Sequence, residues 1–72
     1  MTARRFEFIE GSSCKFWQVA TSGNNVSVRY GRIGANGQSQ TKSFTSPTAA
    51  SQHAEKQIAS KLAKGYRELA VA

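Results

Sequence analysis

Val26-Ser27-Val28-Arg29-Tyr30-Gly31-Arg32-Ile33-Gly34 is the stretch on which the reading of this chain turns. Its β-branched and aromatic residues recur at every second position, the period of a strand with two unlike faces. Val26, Val28, Tyr30 and Arg32 fall on one face, and Ser27, Arg29, Gly31 and Ile33 on the other. The strand carries a ring and two guanidinium groups into a glycine turn. It lies in a window from Gly11 to Ala54 that holds Lys15, Arg29, Arg32 and Lys42 and no Asp or Glu. Cations beside a flat ring, with no opposing carboxylate, suit a polyanion that also offers bases or sugars.

The flanking sequence continues the strand period. It predicts a first strand over Arg5–Glu10 with Phe6 and Phe8 on one face, then a turn at Gly11-Ser12-Ser13. A second strand follows over Cys14–Thr21, with Trp17 and Val19 opposite Phe16 and Gln18, and a turn over Ser22-Gly23-Asn24-Asn25. The third strand is Val26–Ile33. Gly34-Ala35-Asn36-Gly37 turns the chain, Asn-Gly being a strong hairpin signal, and Gln38–Phe44 returns as a fourth strand.

At Ser46-Pro47 the period changes. Serine caps the first free N–H groups of a helix, and proline is tolerated at its first position. Ala49 stands where a capping box would need Glu or Gln. Ala50, Ala54, Ile58 and Leu62, with Ala59 alongside, form an apolar stripe, and Gly65 after Lys64 stops the helix. The tail from Tyr66 to Val71 either adds an edge strand or trails. The fold expected is α+β: an antiparallel sheet of four or five strands with one amphipathic helix packed across it. Residues 1–72 form a single domain, with Phe6 or Phe8, Trp17, Val28, Ile33, Phe44, Ile58 and Leu62 in its core.

A net charge of +6 over 72 residues favours an acidic partner. The one cysteine, Cys14, excludes an internal disulfide and fits a reducing compartment, where inert packing is its expected role. Charged residues interrupt every apolar run well short of the roughly 18 residues that span a bilayer. The expectation is a cytoplasmic protein with no membrane partner, nucleoid-associated if bacterial.

Catalytic signals are weak. Glu7 and Glu10 are three apart on a strand and point to opposite faces, so they cannot work as an acid–base pair. Cys14 and His53 could form a nucleophile–base couple, but no acid stands ready to orient it. One Cys and one His do not make a zinc site. No catalytic residue, metal or cofactor is expected, and the chain reads as a non-enzyme. Gly31-Arg32-Ile33-Gly34 matches the GXXG loop with which KH domains clamp nucleic acid, yet strands rather than helices flank it; turn and bulge glycines are the simpler account.

The run Val26–Gly34, followed by Gly37-Gln38-Ser39-Gln40-Thr41-Lys42-Ser43-Phe44 and a helix opening at Ser46-Pro47, resembles the WGR domain family. The resemblance extends from about Phe6 to Tyr66. Such domains are found in poly(ADP-ribose) polymerases, where they contact DNA at breaks, and in bacterial proteins. It implies a small binding domain with DNA as the leading ligand, the triplet's aromatic packing on a terminal nucleotide and its arginine making polar contacts. Those roles fall on Tyr30 and Arg32, with Gly31 between them and Tyr30 standing where the family's name has tryptophan.

Together these readings predict a non-catalytic nucleic-acid-binding module for DNA ends or nicks, through Arg29, Tyr30, Gly31, Arg32, Gln40 and Lys42 on a basic hairpin. RNA is a third candidate ligand. A protein–protein module docking an acidic partner is the alternative of a different class. Lys56, Lys61 and Lys64 are set aside as a solvated helix face. The oligomeric state has no signal in the sequence.

Overall fold

The computed structural model describes residues 2–69. Strands β1 (Thr2–Glu10), β2 (Ser13–Ser22), β3 (Asn25–Arg32) and β4 (Gln38–Ser43) precede helix α1 (Pro47–Ala63) and a short strand β5 (Arg67–Leu69). They form one antiparallel five-stranded sheet in the order β4-β3-β2-β1-β5, with α1 across one face. This is the expected α+β architecture. Of the two futures open to the tail, the edge strand is the one realised over Arg67–Leu69; Val71 lies outside the described residues.

Two-residue turns set the registers. Gly11-Ser12 joins Glu10 to its partner Ser13, and Gly23-Asn24 joins Ser22 to Asn25. The β3–β4 connection is wider than an Asn-Gly hairpin. Pairing ends at Tyr30 with Gln38, and the tip closes by a bond from the Ala35 N–H to the Arg32 carbonyl (3.0 Å). Gly37 (φ +74°) then folds back over β3: a Cβ there would lie 2.4 Å from the Tyr30 carbonyl oxygen and 2.8 Å from Phe16 Cζ.

The Ser46 hydroxyl accepts a bond from the Ala49 N–H (3.1 Å) at the start of α1. At its end Gly65, at φ +105°, reverses the chain. The Tyr66 N–H bonds back to the Lys61 carbonyl and the Gly65 N–H to that of Leu62, both at 3.1 Å, satisfying free helix carbonyls. The reversal delivers β5 to the β1 edge and sets the Tyr66 ring 5.4 Å from that of Phe8.

The core lies between sheet and helix: Phe6, Trp17, Val19 and Val26 against Ala50, Ala54 and Ile58, with Val28, Tyr30, Phe44 and Tyr66 at its margin. Phe6 and Trp17 cross at 5.6 Å between ring centroids. Three expectations for apolar positions fail. Ile33 lies beyond β3 and is exposed, as are Leu62 (48%) and Ala59. The helix accounts for the last two, because each four-residue step advances about 40° around the axis. By that count Leu62 has drifted roughly 120° from Ala50 and Ala59 lies opposite it, whereas Gln57 and Lys61 fall within about 20° of Ala50. Phe16, which was not assigned to the core, is 2% exposed on the sheet face that α1 does not cover.

The glycine conformations generate a prediction. Gly34 has φ +95° but open space around its missing side chain, so Gly34→Ala meets backbone strain alone, about 1–2 kcal/mol. Gly37→Ala meets the same strain plus the backbone of Tyr30. Thermal unfolding should show a drop of about 4–8 °C per kcal/mol, with Gly37→Ala at least twice as damaging as Gly34→Ala. Equal midpoints for the two variants would show that the tip does not rest on β3.

Candidate nucleic-acid interface

The register puts Lys15 directly across from Arg32, and Trp17 across from Tyr30. All four occupy the helix-covered face, where they line a cleft of about 450 Å³ with Gly31, Gln40, Gln57, Lys61 and Tyr66. No carboxylate lines it. Lys61 reaches in from α1, its Nζ 5.6 Å from the Trp17 ring centroid and 5.2 Å from that of Tyr66. Desolvation by this half-buried setting, helped by repulsion from Lys64 and Lys15, holds the Lys61 ammonium below the usual lysine range. Lys61 therefore does not belong to the solvated helix face assumed for it.

The acidic residues are drawn elsewhere. Arg4 grips Glu68 with two bonds of 2.7 Å, which raises the guanidinium's pKa and lowers that of the carboxyl; Glu55 stands 3.6 Å from the same arginine. Arg5 pairs with Glu7 at 3.1 Å and donates to Gln18 Oε1 at 2.9 Å. Among the described residues, every ion pair thus involves Arg4 or Arg5 on β1. None of these ion pairs reaches Lys15, Arg32 or Lys61.

The residues expected from sequence divide into three groups. Tyr30, Gly31, Arg32 and Gln40 line the cleft. Lys42 shares the face but pairs with Val26, six positions from Arg32, or roughly 20 Å along the strand. Arg29 is on the opposite face: its Nε donates to the Asn36 carbonyl (2.7 Å), and its guanidinium lies 5.5 Å from the Phe16 ring centroid. The three cations do not share one surface. Tyr30 is half-buried at the core margin, its hydroxyl 3.4 Å from Gln38 Oε1. Trp17, at 3% exposure, is closed to stacking.

Lys15, Gln57, Lys61 and Tyr66 were missed. The first could have been found by counting back from the Gly23-Asn24 turn, and Gln57 and Lys61 from their helical angles. Tyr66 depends on the chain reversal at Gly65. A larger hollow, about 1020 Å³, runs beside the first turns of α1 between Phe44, His53 and Lys56, but Glu55 lies in it and its walls are mainly apolar. It is the poorer anion site. Cys14 sits on the uncovered face while His53 stacks on Phe44 at 4.8 Å beyond the sheet, so the two do not meet. Among the described residues no three His, Cys, Asp or Glu side chains cluster, and no helix is long and apolar enough to cross a membrane.

The WGR domain family model matches residues 2–71. The chain belongs to the WGR family. WGR domains are generally nucleic-acid-binding modules, and none of the matches points to a catalytic family. An uncharacterized Escherichia coli K12 protein, YfeS, is 38% identical over 65 residues, covering 90% of this chain and 27% of that protein. The E. coli K12 protein YehF is 42% identical over 67 residues, covering 93% and 24%. A crystal structure of a Bacteroides fragilis protein matches with a TM-score of 0.93 at 42% identity, over 96% of this chain and 20% of the other. The WGR chain thus spans about a quarter of the curated relatives' length.

The cleft chemistry of this WGR domain predicts a pH effect. Because the folded pKa of Lys61 lies below its ordinary 10.5, the folded state sheds that proton first. Stability contributed through Lys61 therefore rises as pH climbs from the lowered value towards 10.5. Relative to wild type, Lys61→Met should be most stabilised at neutral pH and lose that advantage across the alkaline window. Urea unfolding at pH 7 to 10 measures the difference; a pH-independent gap would refute the burial cost.

Proposed function

We propose that this domain is a non-catalytic module that binds DNA at ends or nicks, with the cleft between α1 and the β2–β3 hairpin as its seat. One observation carries the reading: Lys15, Arg32 and Lys61 converge on a cleft edged by Tyr30 and Tyr66, and no carboxylate lines it. Separate surface lysines would serve any polyanion, whereas a concave site takes a protruding group. Inside a continuous duplex, base faces are stacked and inaccessible. At a terminus or nick one sugar and base stand free, and these can enter while the three cations hold the adjoining phosphates. Lys42, farther along the same face, would meet the backbone of a duplex leaving the cleft.

The expected affinity is modest. Three or four phosphate contacts give a log–log salt slope of roughly −3 to −4 and a dissociation constant on the order of micromolar. Fluorescence anisotropy with a DNA hairpin bearing one open end, against a closed dumbbell of the same sequence, tests the reading. The hairpin should bind at least several-fold more tightly. Arg32→Ala or Lys15→Ala should each reduce the salt slope by about 0.9, on every sequence alike. Equal binding of hairpin and dumbbell removes the preference for ends. Stronger binding of matched RNA, or of an acidic peptide, would transfer the site to that ligand class.

A further inference from the structure

We propose that Arg29 is a positioning residue: from the uncovered face it braces the hairpin tip that begins at Arg32, and it makes no phosphate contact itself. The proposal rests on the DNA-binding reading of the cleft, since it concerns how Arg32 is held there.

Arg29 and Arg32 belong to one strand but to opposite faces. The Arg29 Nε–H donates to the Asn36 carbonyl at 2.7 Å, and Asn36 lies in the tip between β3 and β4. Beneath them is Phe16, 2% exposed on a face that no helix covers. Its cover is local. The Arg5 guanidinium lies 4.6 Å from its ring centroid and that of Arg29 5.5 Å away. Glycine backbone supplies the rest: a Cβ on Gly37 would meet Phe16 Cζ at 2.8 Å, and one on Gly31 would meet Gly37 Cα at 2.8 Å. The Gly37 end of the tip therefore rests on the Phe16 ring, and Arg29 clasps the tip at Asn36 from the side.

That contact bears on the cleft because the tip is short. Arg32 is the last residue of β3, and its carbonyl accepts the Ala35 N–H bond that closes the turn. Freeing Asn36 lets the turn lift, and the backbone of Arg32 lifts with it. The Arg32 side chain then leaves its place opposite Lys15. A lysine at position 29 keeps the charge but cannot reproduce the planar Nε–H geometry over Phe16.

Two measurements on Arg29→Lys and Arg29→Gln test this. In the free domain, hydrogen exchange of the Ala35 amide should speed up about tenfold or more in both variants, while the amide of Val19, far from the tip, is unaffected. With the open-ended DNA hairpin, both variants should bind about tenfold more weakly with the wild-type salt slope, in contrast to the loss of about 0.9 expected for a lost phosphate contact. Unchanged exchange overturns the brace. A slope lowered by about 0.9 in Arg29→Gln and restored in Arg29→Lys makes Arg29 a phosphate ligand and overturns the assignment. Wild-type protein that ignores the hairpin DNA sinks the nucleic-acid reading and the positioning role with it; the exchange data then still report whether the tip is clasped.

Discussion

The register of β2 on β3 is the constraint from which the rest of the molecule follows. Gly23 and Asn24 alone separate the paired residues Ser22 and Asn25, so every later pair in the hairpin is set by counting. Trp17 must oppose Tyr30, and Lys15 must oppose Arg32. A slip of one residue would turn either Trp17 and Val19 of β2 or Val26 and Val28 of β3 to the uncovered side. Each of these side chains that is buried is worth about 1.5–3 kcal/mol against the helix, so the slipped pairing has no competing minimum. Core and cleft are consequences of the same turn: the rows nearest it fill the core, and the row beyond Trp17 and Tyr30 supplies two of the three cleft cations.

Electrostatic segregation does the remainder. With ten Lys and Arg against four Glu, neutralising every cation is impossible, and the placement of the glutamates decides where positive potential survives. Arg4 and Arg5 collect Glu7, Glu55 and Glu68 around β1. The tie between Arg4 and Glu68 also fastens β5 to the sheet edge. Lys61, in contrast, is held half-buried near two other lysines, a setting that disfavours its own charge. On the proposed reading, a phosphate bound in the cleft is what would offset that cost.

Much of this was legible in the chain itself. Alternation through Phe6, Trp17, Val28 and Tyr30 defined the strands, and Ser46, Pro47 and Gly65 bounded the helix because each acts through its own backbone chemistry. Ile33, Leu62 and Ala59 were misplaced because a strand's end and a helix's angular drift are geometric facts that a hydrophobicity pattern blurs. The site was half legible. Tyr30, Gly31, Arg32 and Gln40, expected on an open basic hairpin, lie together in a cleft, but Lys61 looked like any helical surface lysine until its angle to Ala50 is counted. Arg29 shows the opposite failing. Its neighbours in sequence suggested a shared surface, although strand alternation had already assigned it to the other face.

That alternation gives the Tyr30-Gly31-Arg32 triplet a physical meaning. Successive side chains point to opposite faces, so Tyr30 and Arg32 look into the cleft while position 31 looks towards Phe16. There the Gly37 backbone comes so close that a single added carbon at Gly31 would collide with it. The glycine is therefore required by what lies behind the sheet, whereas the two residues flanking it face the cleft in front. Tyr30, which stands where the family's name has tryptophan, closes the core margin and carries its hydroxyl to 3.4 Å from Gln38 Oε1. A motif of three residues can thus hold a loop with its centre and turn its two ends to the cleft, provided the strand carrying it has a covered face and a bare one.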